Sequence, residues 1–231
     1  MKKYRHLFFD LDHTLWDYDR NVQESLSELY EIYGLENLGV PSNHDFYKAF
    51  LKVNTGLWDH YNVGKIDKDT LRKVRFRRIF DHFGAHDVVV PEAMESDFMQ
   101  RTSSKPHLFP YSKEILTYLK GKYELHVITN GFNESQALKM TSSGIHAYFD
   151  LVVTSETTGH KKPDRRIFEY AMGQLGADAE ECLMIGDNPV SDIQGARNAA
   201  IDQVFFNPHA VDCQPNATYT IAKLKDLESF L

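Results

Sequence analysis

Short apolar runs punctuate the chain: "HLFF" (6–9), "ELHVIT" (124–129), "FDLVVT" (149–154), "ECLMIG" (181–186) and "QVFF" (203–206). Each has strand length and leaves little room for a polar outer face. That is the pattern of strands buried on both sides of a parallel sheet. Between the last four runs, residues 133–143, 164–175 and 191–199 have helical spacing, and Gly144 and Gly176 fall where helix C-caps belong. Strand–helix alternation over 106–231 therefore predicts an α/β core with a doubly wound, Rossmann-like parallel sheet.

After the first run the periodicity changes. Asn21 is placed as an N-cap, and Val22, Leu26, Leu29 and Tyr30 follow it at helical intervals. Residues 44–61 repeat the pattern with Phe46, Phe50, Leu51, Leu57, Trp58 and Tyr61. Residues 68–83 do so with Leu71, Val74, Ile79 and Phe83, and Gly84 ends the stretch. A further helix is expected near 91–101. The reading is an all-helical module, 17–103, inserted into a core formed by 1–16 and 104–231. "TSSKPH" (102–107) marks the return boundary. The chain shows no internal repeat and no low-complexity tract.

Composition narrows the function classes. With 231 residues and 42% apolar content there is material for a substantial core. A formal charge of −7 argues against a nucleic-acid polymer as partner, because such readers carry a basic face. Small phosphate esters stay open, since a local site can oppose the global charge. Cys182 and Cys213 have no CxxC-type partner, so neither a zinc site nor a disulfide framework is expected, and a reducing, cytoplasmic location is. No apolar stretch is long enough for a membrane span, and "LFF" is too short for a signal peptide. Asn133 and Asn216 begin chance N-x-S/T matches. The 11 histidines contain no His-x-x-x-His pair on a helix; apart from His13, whose role is open, they read as ordinary surface or core residues.

The chemistry concentrates where strands end. In open α/β sheets ligands bind at the carboxyl ends of the strands. The first strand runs into Asp10-Leu11-Asp12-His13-Thr14, the second into Thr129-Asn130-Gly131. Beyond the third lie Lys161-Lys162-Pro163-Asp164, and the fourth runs into "GDNPVSD", with Asp187 and Asp192. Asp10 and Asp12 would share a side if strand geometry held through Asp12. Acids that close need a cation, a shared proton or water. Carboxylates suit Mg²⁺, and a lysine with backbone N–H groups suits phosphate.

"DLDHTL", "VITNG", "KKPD" and "GDNPVSD", in this order, resemble the four motifs of the haloacid dehalogenase superfamily. The helical insertion after the first strand resembles that superfamily's C1-type cap, so the likeness spans the whole chain. The resemblance implies a Mg²⁺-dependent phosphomonoesterase. Asp10 would be the nucleophile, forming an aspartyl-phosphate, and Asp12 the general acid and base. Thr129 and Asn130 would hold phosphate oxygens, and Lys162 would neutralise charge. Asp10, the Asp12 carbonyl and Asp187 would ligate Mg²⁺, with Asp192 in or just outside that shell. Dehalogenases of the superfamily lack an acid two residues after the nucleophile, so Asp12 favours phosphoryl chemistry.

His13 replaces the commoner glycine, and "DLDHTLWD" resembles the first motif of a branch of pyrimidine and non-standard 5′-nucleotidases. "NTGLWDHYNVGKID" and "LRKVRF" are similar to that branch's cap. The likeness implies Asn54, Trp58 and Arg75 as substrate contacts, Arg72 sharing a helical face with Arg75. The expected substrate is a small phosphorylated metabolite, a nucleoside monophosphate first, and the expected assembly is a monomer or homodimer. The alternatives are a sugar-phosphate phosphatase, a β-phosphoglucomutase-like enzyme, a 2-haloacid dehalogenase, and a non-catalytic binding module, which would normally show a broken motif.

Overall fold

The structure is a computed structural model describing residues 4–213 and 215–231. Residues 1–3, part of the predicted core segment, and Gln214 lie outside the described residues. The chain divides into two compact units, one of the segment up to Tyr18 with Pro106–Leu231, the other Asp19–Lys105.

The first unit is built on six parallel strands, β1 (His6–Phe9), β2 (Glu124–Thr129), β3 (Leu151–Thr154), β4 (Cys182–Gly186), β5 (Asp202–Phe206) and β6 (Tyr219–Ile221), in the order β3-β2-β1-β4-β5-β6. The first strand thus lies between β2 and β4, paired through Phe9 with Val127 and Ile185. Period-two alternation sorts the side chains onto two faces. Leu7, Phe9, Leu125, Val127, Leu183 and Ile185 pack into one core layer. Phe8, Ile128, Val153 and Met184 pack into the other, with Ile167 and Phe168. Burial on both faces explains why the strands read as continuous apolar runs.

The helices are α1 (Tyr18–Ile32), α2 (Asn43–Asn62), α3 (Lys68–His82), α4 (Met94–Ser103), α5 (Ser112–Leu119), α6 (Asn133–Ser142), α7 (Ser155–Thr158), α8 (Arg165–Leu175) and α9 (Gly195–Asn198). None among the described residues is long and apolar enough to cross a membrane. The second unit is helical, with no strand among its described residues. Ser42 and Asp67 cap α2 and α3 by accepting from Asp45 N and Thr70 N. Phe50 and Phe98 pack at 4.9 Å between ring centres, and Phe76 and Phe98 at 5.7 Å.

The structure departs from the pattern in several places. Asn21 is no cap: α1 begins at Tyr18, and Asn21 is buried within it, its carbonyl accepting from Ser25 Oγ at 2.8 Å. β3 starts at Leu151, because the Asp150 carboxylate accepts from Lys120 Nζ and Leu125 N and belongs to the preceding turn. Residues 189–194 form a π-helical turn that only then becomes α9. The helix α5 and the three-residue strand β6 lie outside the predicted elements.

Leu183, fully buried in β4, tests the core. Leu183→Ala should lower unfolding free energy by about 2–5 kcal/mol, read as a lower urea midpoint at unchanged slope.

Candidate active site

Asp10 follows β1 directly. Its backbone N–H donates to Ile185 O at 2.9 Å, so the sheet ladder fixes its Cα. Its Oδ1 accepts from Lys162 Nζ at 2.5 Å. The same ammonium donates to Asp192 Oδ1 at 2.7 Å and to Ile128 O at 2.8 Å. Lys162 lies in the loop before α8, where the Asn130 amide grips its backbone: Lys162 N donates to Asn130 Oδ1 at 2.7 Å, and Asn130 Nδ2 donates to Lys162 O at 2.9 Å. The side chain expected to hold phosphate is therefore also the clamp that places the lysine.

The Asp192 carboxylate, fully buried, turns back from the π-helical turn and also accepts from Asn188 N at 3.0 Å. Gly186 makes room, since a Cβ there would fall on the Asp192 carboxylate. Asn188 caps the turn through Val190 N and Ser191 N, both at 2.9 Å. Asp187 is held by Thr14, whose Oγ1 donates to Asp187 Oδ1 and accepts from Asp187 N, both at 3.1 Å.

Asp12 takes a different path. β1 ends at Phe9 and the chain turns so that Leu15 N and Trp16 N both donate to Leu11 O. The Asp12 carboxylate meets α6: Lys139 Nζ donates to Oδ1 at 2.6 Å and Gln136 Nε2 to Oδ2 at 3.0 Å. The Lys139 ammonium also lies 4.5 Å from the centre of the Trp16 ring. Gln136 Nε2 donates as well to Thr129 Oγ1 at 2.7 Å. This approach requires glycine at 131, where a Cβ would collide with the Gln136 amide. The two acids are thus not relieved by one cation: Lys162 serves Asp10, and Lys139 serves Asp12. Gln136, Lys139 and Thr14 carry no role in the sequence reading. The available signal was the three-residue spacing of Gln136 and Lys139, which puts both on one face of the helix after "TNG".

Their environments push the acids apart. Burial raises the Asp10 carboxyl well above its usual range, with Lys162 opposing and Asp192 and Asp187 adding to the rise. Burial pushes Asp187 up to about 7, with Asp192 adding to it. For Asp12, burial is outweighed by Lys139 and Gln136, which hold it below its usual value. Burial works against the Lys162 charge, but Asp10 and Asp192 prevail and raise its pKa.

Residues 4–200 match the profile of the haloacid dehalogenase-like hydrolases. The chain belongs to this hydrolase family. The pyrimidine 5′-nucleotidase PynA of Streptococcus pneumoniae is 32% identical over 228 residues, spanning 97% of this chain and 93% of PynA. The pyrimidine 5′-nucleotidase YjjG of Escherichia coli is 30% identical, over 99% of this chain and 98% of YjjG. The structure of the HAD-hydrolase YfnB from Bacillus subtilis, bound to magnesium, has a TM-score of 0.87 at 28% identity and covers 99% of this chain and 98% of YfnB.

Among haloacid dehalogenase-like hydrolases a divalent cation is implied at this site, and the donor set fits one. Asp10, Asp187 and Asp192 each offer a carboxylate oxygen, all within 4.8 Å of one another. These are hard oxygen ligands, and their mutual repulsion is what a cation would relieve.

Within the helical unit, Asn54 is buried and Trp58 half-buried on α2, with Trp58 packed edge-on against Tyr61 at 5.4 Å. Arg75 is 2% exposed inside the unit, its guanidinium 5.1 Å from the Phe98 ring and 5.9 Å from Phe50. Its Nη2 lies 3.4 Å from Glu95 Oε1. Rings and a carboxylate of its own unit thus lie around the Arg75 guanidinium.

The acids predict a pH effect. Asp187 has its pKa raised from 3.8 to about 7 on folding, so the folded protein holds that proton more tightly than the unfolded chain. The stability this confers is present below the unfolded value and is lost as pH rises through the folded one. Without divalent cation, wild-type protein should therefore lose more stability than Asp187→Asn between roughly pH 4 and pH 7. Parallel denaturation curves across that range would refute the assignment.

Proposed function

We propose that this hydrolase is a Mg²⁺-dependent phosphomonoesterase working through an aspartyl-phosphate, and that its substrates are nucleoside 5′-monophosphates. One observation carries the chemical part: two carboxylates two residues apart, each hydrogen-bonded to its own lysine, with Asp187 and Asp192 beside the first as further hard-cation ligands. Separate partners let the two carboxylates take separate roles, one as nucleophile and one in proton transfer.

Asp10 Oδ attacks phosphorus, the bond from phosphorus to the ester oxygen breaks, and the phosphoryl group passes to the aspartate. Asp12 delivers a proton to the departing oxygen. In the resting site Lys139 keeps Asp12 ionised, and the arriving phosphate supplies the negative charge that shifts it towards the acid form. Once the alcohol has left, the ionised form takes a proton from the water that hydrolyses the acyl phosphate. Lys162, clamped by Asn130, stays paired with the nucleophile and faces the charge that builds on the phosphoryl oxygens. Thr129 Oγ1, oriented by Gln136, serves those oxygens as well. Mg²⁺ held by Asp10, the Asp12 carbonyl and Asp187, with Asp192 tied to Lys162 behind them, would supply charge neutralisation for the transfer.

The magnesium-bound structure of YfnB and the donor set here support the metal. The names of PynA and YjjG support the nucleotide substrate. The presence of Asp12 argues against dehalogenation, and the complete set of acids and lysine argues against a purely binding role. The two thiols, neither in a disulfide, are consistent with a cytoplasmic enzyme.

Asp10→Asn should abolish phosphate release from a panel of nucleotides and sugar phosphates assayed with Mg²⁺, since an amide is a poor nucleophile and a poor hard-cation ligand. Near-wild-type turnover by pure Asp10→Asn protein would remove the nucleophile assignment.

Selection of the leaving group is assigned to Asn54 and Trp58 in the helical unit. Stacking of a base on Trp58 at roughly 1–3 kcal/mol corresponds to a loss of about 5–150-fold in kcat/KM for nucleotides in Trp58→Ala. p-Nitrophenyl phosphate turnover should barely change, and a melting curve separates this from destabilisation. If Trp58→Ala and Asn54→Ala both leave nucleotide turnover unchanged, these residues are packing only.

A further inference from the structure

β1 and β2 begin side by side, with His6 opposite Glu124 in parallel register. Period two places His6, Glu124 and His126 on one face of the sheet, at the strands' amino ends, the opposite end from Asp10. His6 Nδ1 lies 3.2 Å from His126 Nε2 and 3.5 Å from Glu124 Oε2. The two rings stack with centres 5.4 Å apart. Both imidazoles are buried, whereas Glu124 is 41% exposed. One ligand atom from each of the three falls within 4.8 Å of the others.

We propose that His6, Glu124 and His126 form a second metal site, for a transition dication of the Zn²⁺ type, separate from the phosphate chemistry. A tetrahedral ion about 2.0–2.1 Å from its nitrogen and oxygen ligands sets those atoms roughly 3.3–3.4 Å apart. Two of the three separations, 3.2 and 3.5 Å, bracket that span. Two imidazole nitrogens and one carboxylate oxygen favour Zn²⁺, Co²⁺ or Ni²⁺ over Mg²⁺, which prefers oxygen alone. Arg5 Nη2 and Nε hold Glu124 Oε1 at 2.9 and 3.1 Å, leaving Oε2 turned to His6. Such outer support is what orients a ligating carboxylate. Three protein ligands leave the fourth tetrahedral position for water. The site joins two strands whose histidines lie 120 residues apart, so occupation would add a cross-link between β1 and β2 and stabilise the folded sheet.

The test is a Co²⁺ titration of chelator-stripped full-length protein in excess Mg²⁺, followed by visible absorption, with Zn²⁺-dependent melting alongside. Wild-type protein should take up one equivalent with the intense bands of tetrahedral Co²⁺, and Zn²⁺ should raise its melting temperature. Glu124→Gln, at an exposed position, should weaken Co²⁺ binding by about tenfold or more and lose the melting shift, while its metal-free melting stays near wild type. Asp187→Asn should titrate like wild type. The proposal is overturned if wild-type protein takes up no stoichiometric Co²⁺, if Glu124→Gln binds it equally well, or if Asp187→Asn abolishes the signal, which would place the ion among the phosphate-site acids.

Discussion

The candidate active site depends on one buried ammonium. Lys162 Nζ has three N–H donors, and Asp10, Asp192 and the Ile128 carbonyl take all three. Burying carboxylates without such partners would cost several kcal/mol per ion. The lysine therefore permits Asp10 to sit at the end of a strand closed on both faces, and permits Asp192 to turn inward from the π-helical turn. It neutralises only one of the acids it serves, and Asp187 adds another close by. The remaining negative charge is the physical reason a divalent cation suits this cluster, and it adds to the rise that burial imposes on the Asp10 and Asp187 carboxyls.

The second bracket, Lys139 and Gln136 on Asp12, works by the same physics with the opposite sign of result. Here one carboxylate receives a lysine and an amide and no neighbouring acid competes as directly, so its pKa falls. Two residues of sequence separation thus become two electrostatic environments because the chain leaves strand geometry after Phe9 and turns Asp12 towards α6. Gly131 and Gly186 serve this division directly: the first leaves the space through which Gln136 reaches Asp12, and the second leaves room for the Asp192 carboxylate itself.

The helical unit holds a buried charged cluster of its own. Arg72 and Arg75 share a helical face. Arg75 lies among Phe50, Phe98 and the Glu95 carboxylate, and burial pushes Glu95 up to about 7 against the pull of Arg75 and Arg72. A three-residue spacing reports which side chains are neighbours, not whether their common face meets water or other helices.

What the sequence by itself determined is what repeats locally. Strands buried on both faces leave unbroken apolar runs, so β1, β2, β4 and β5 were legible to within a residue or two, as was the helical character of 17–103. Polar residues at or beyond the ends of the core runs marked Asp10, Asp12, Thr129, Asn130, Lys162, Asp187 and Asp192 as candidates, because a parallel sheet delivers every strand end to one rim. Only the tertiary structure decided which of these groups touch. The pairing of Asp12 with Lys139, the Asn130 grip on Lys162, the hold of Thr14 on Asp187 and the approach of His6 to His126 join residues from 32 to 173 positions apart. Such contacts follow from strand order and register, which no local period encodes. β6, at three residues, is too short to show a period at all.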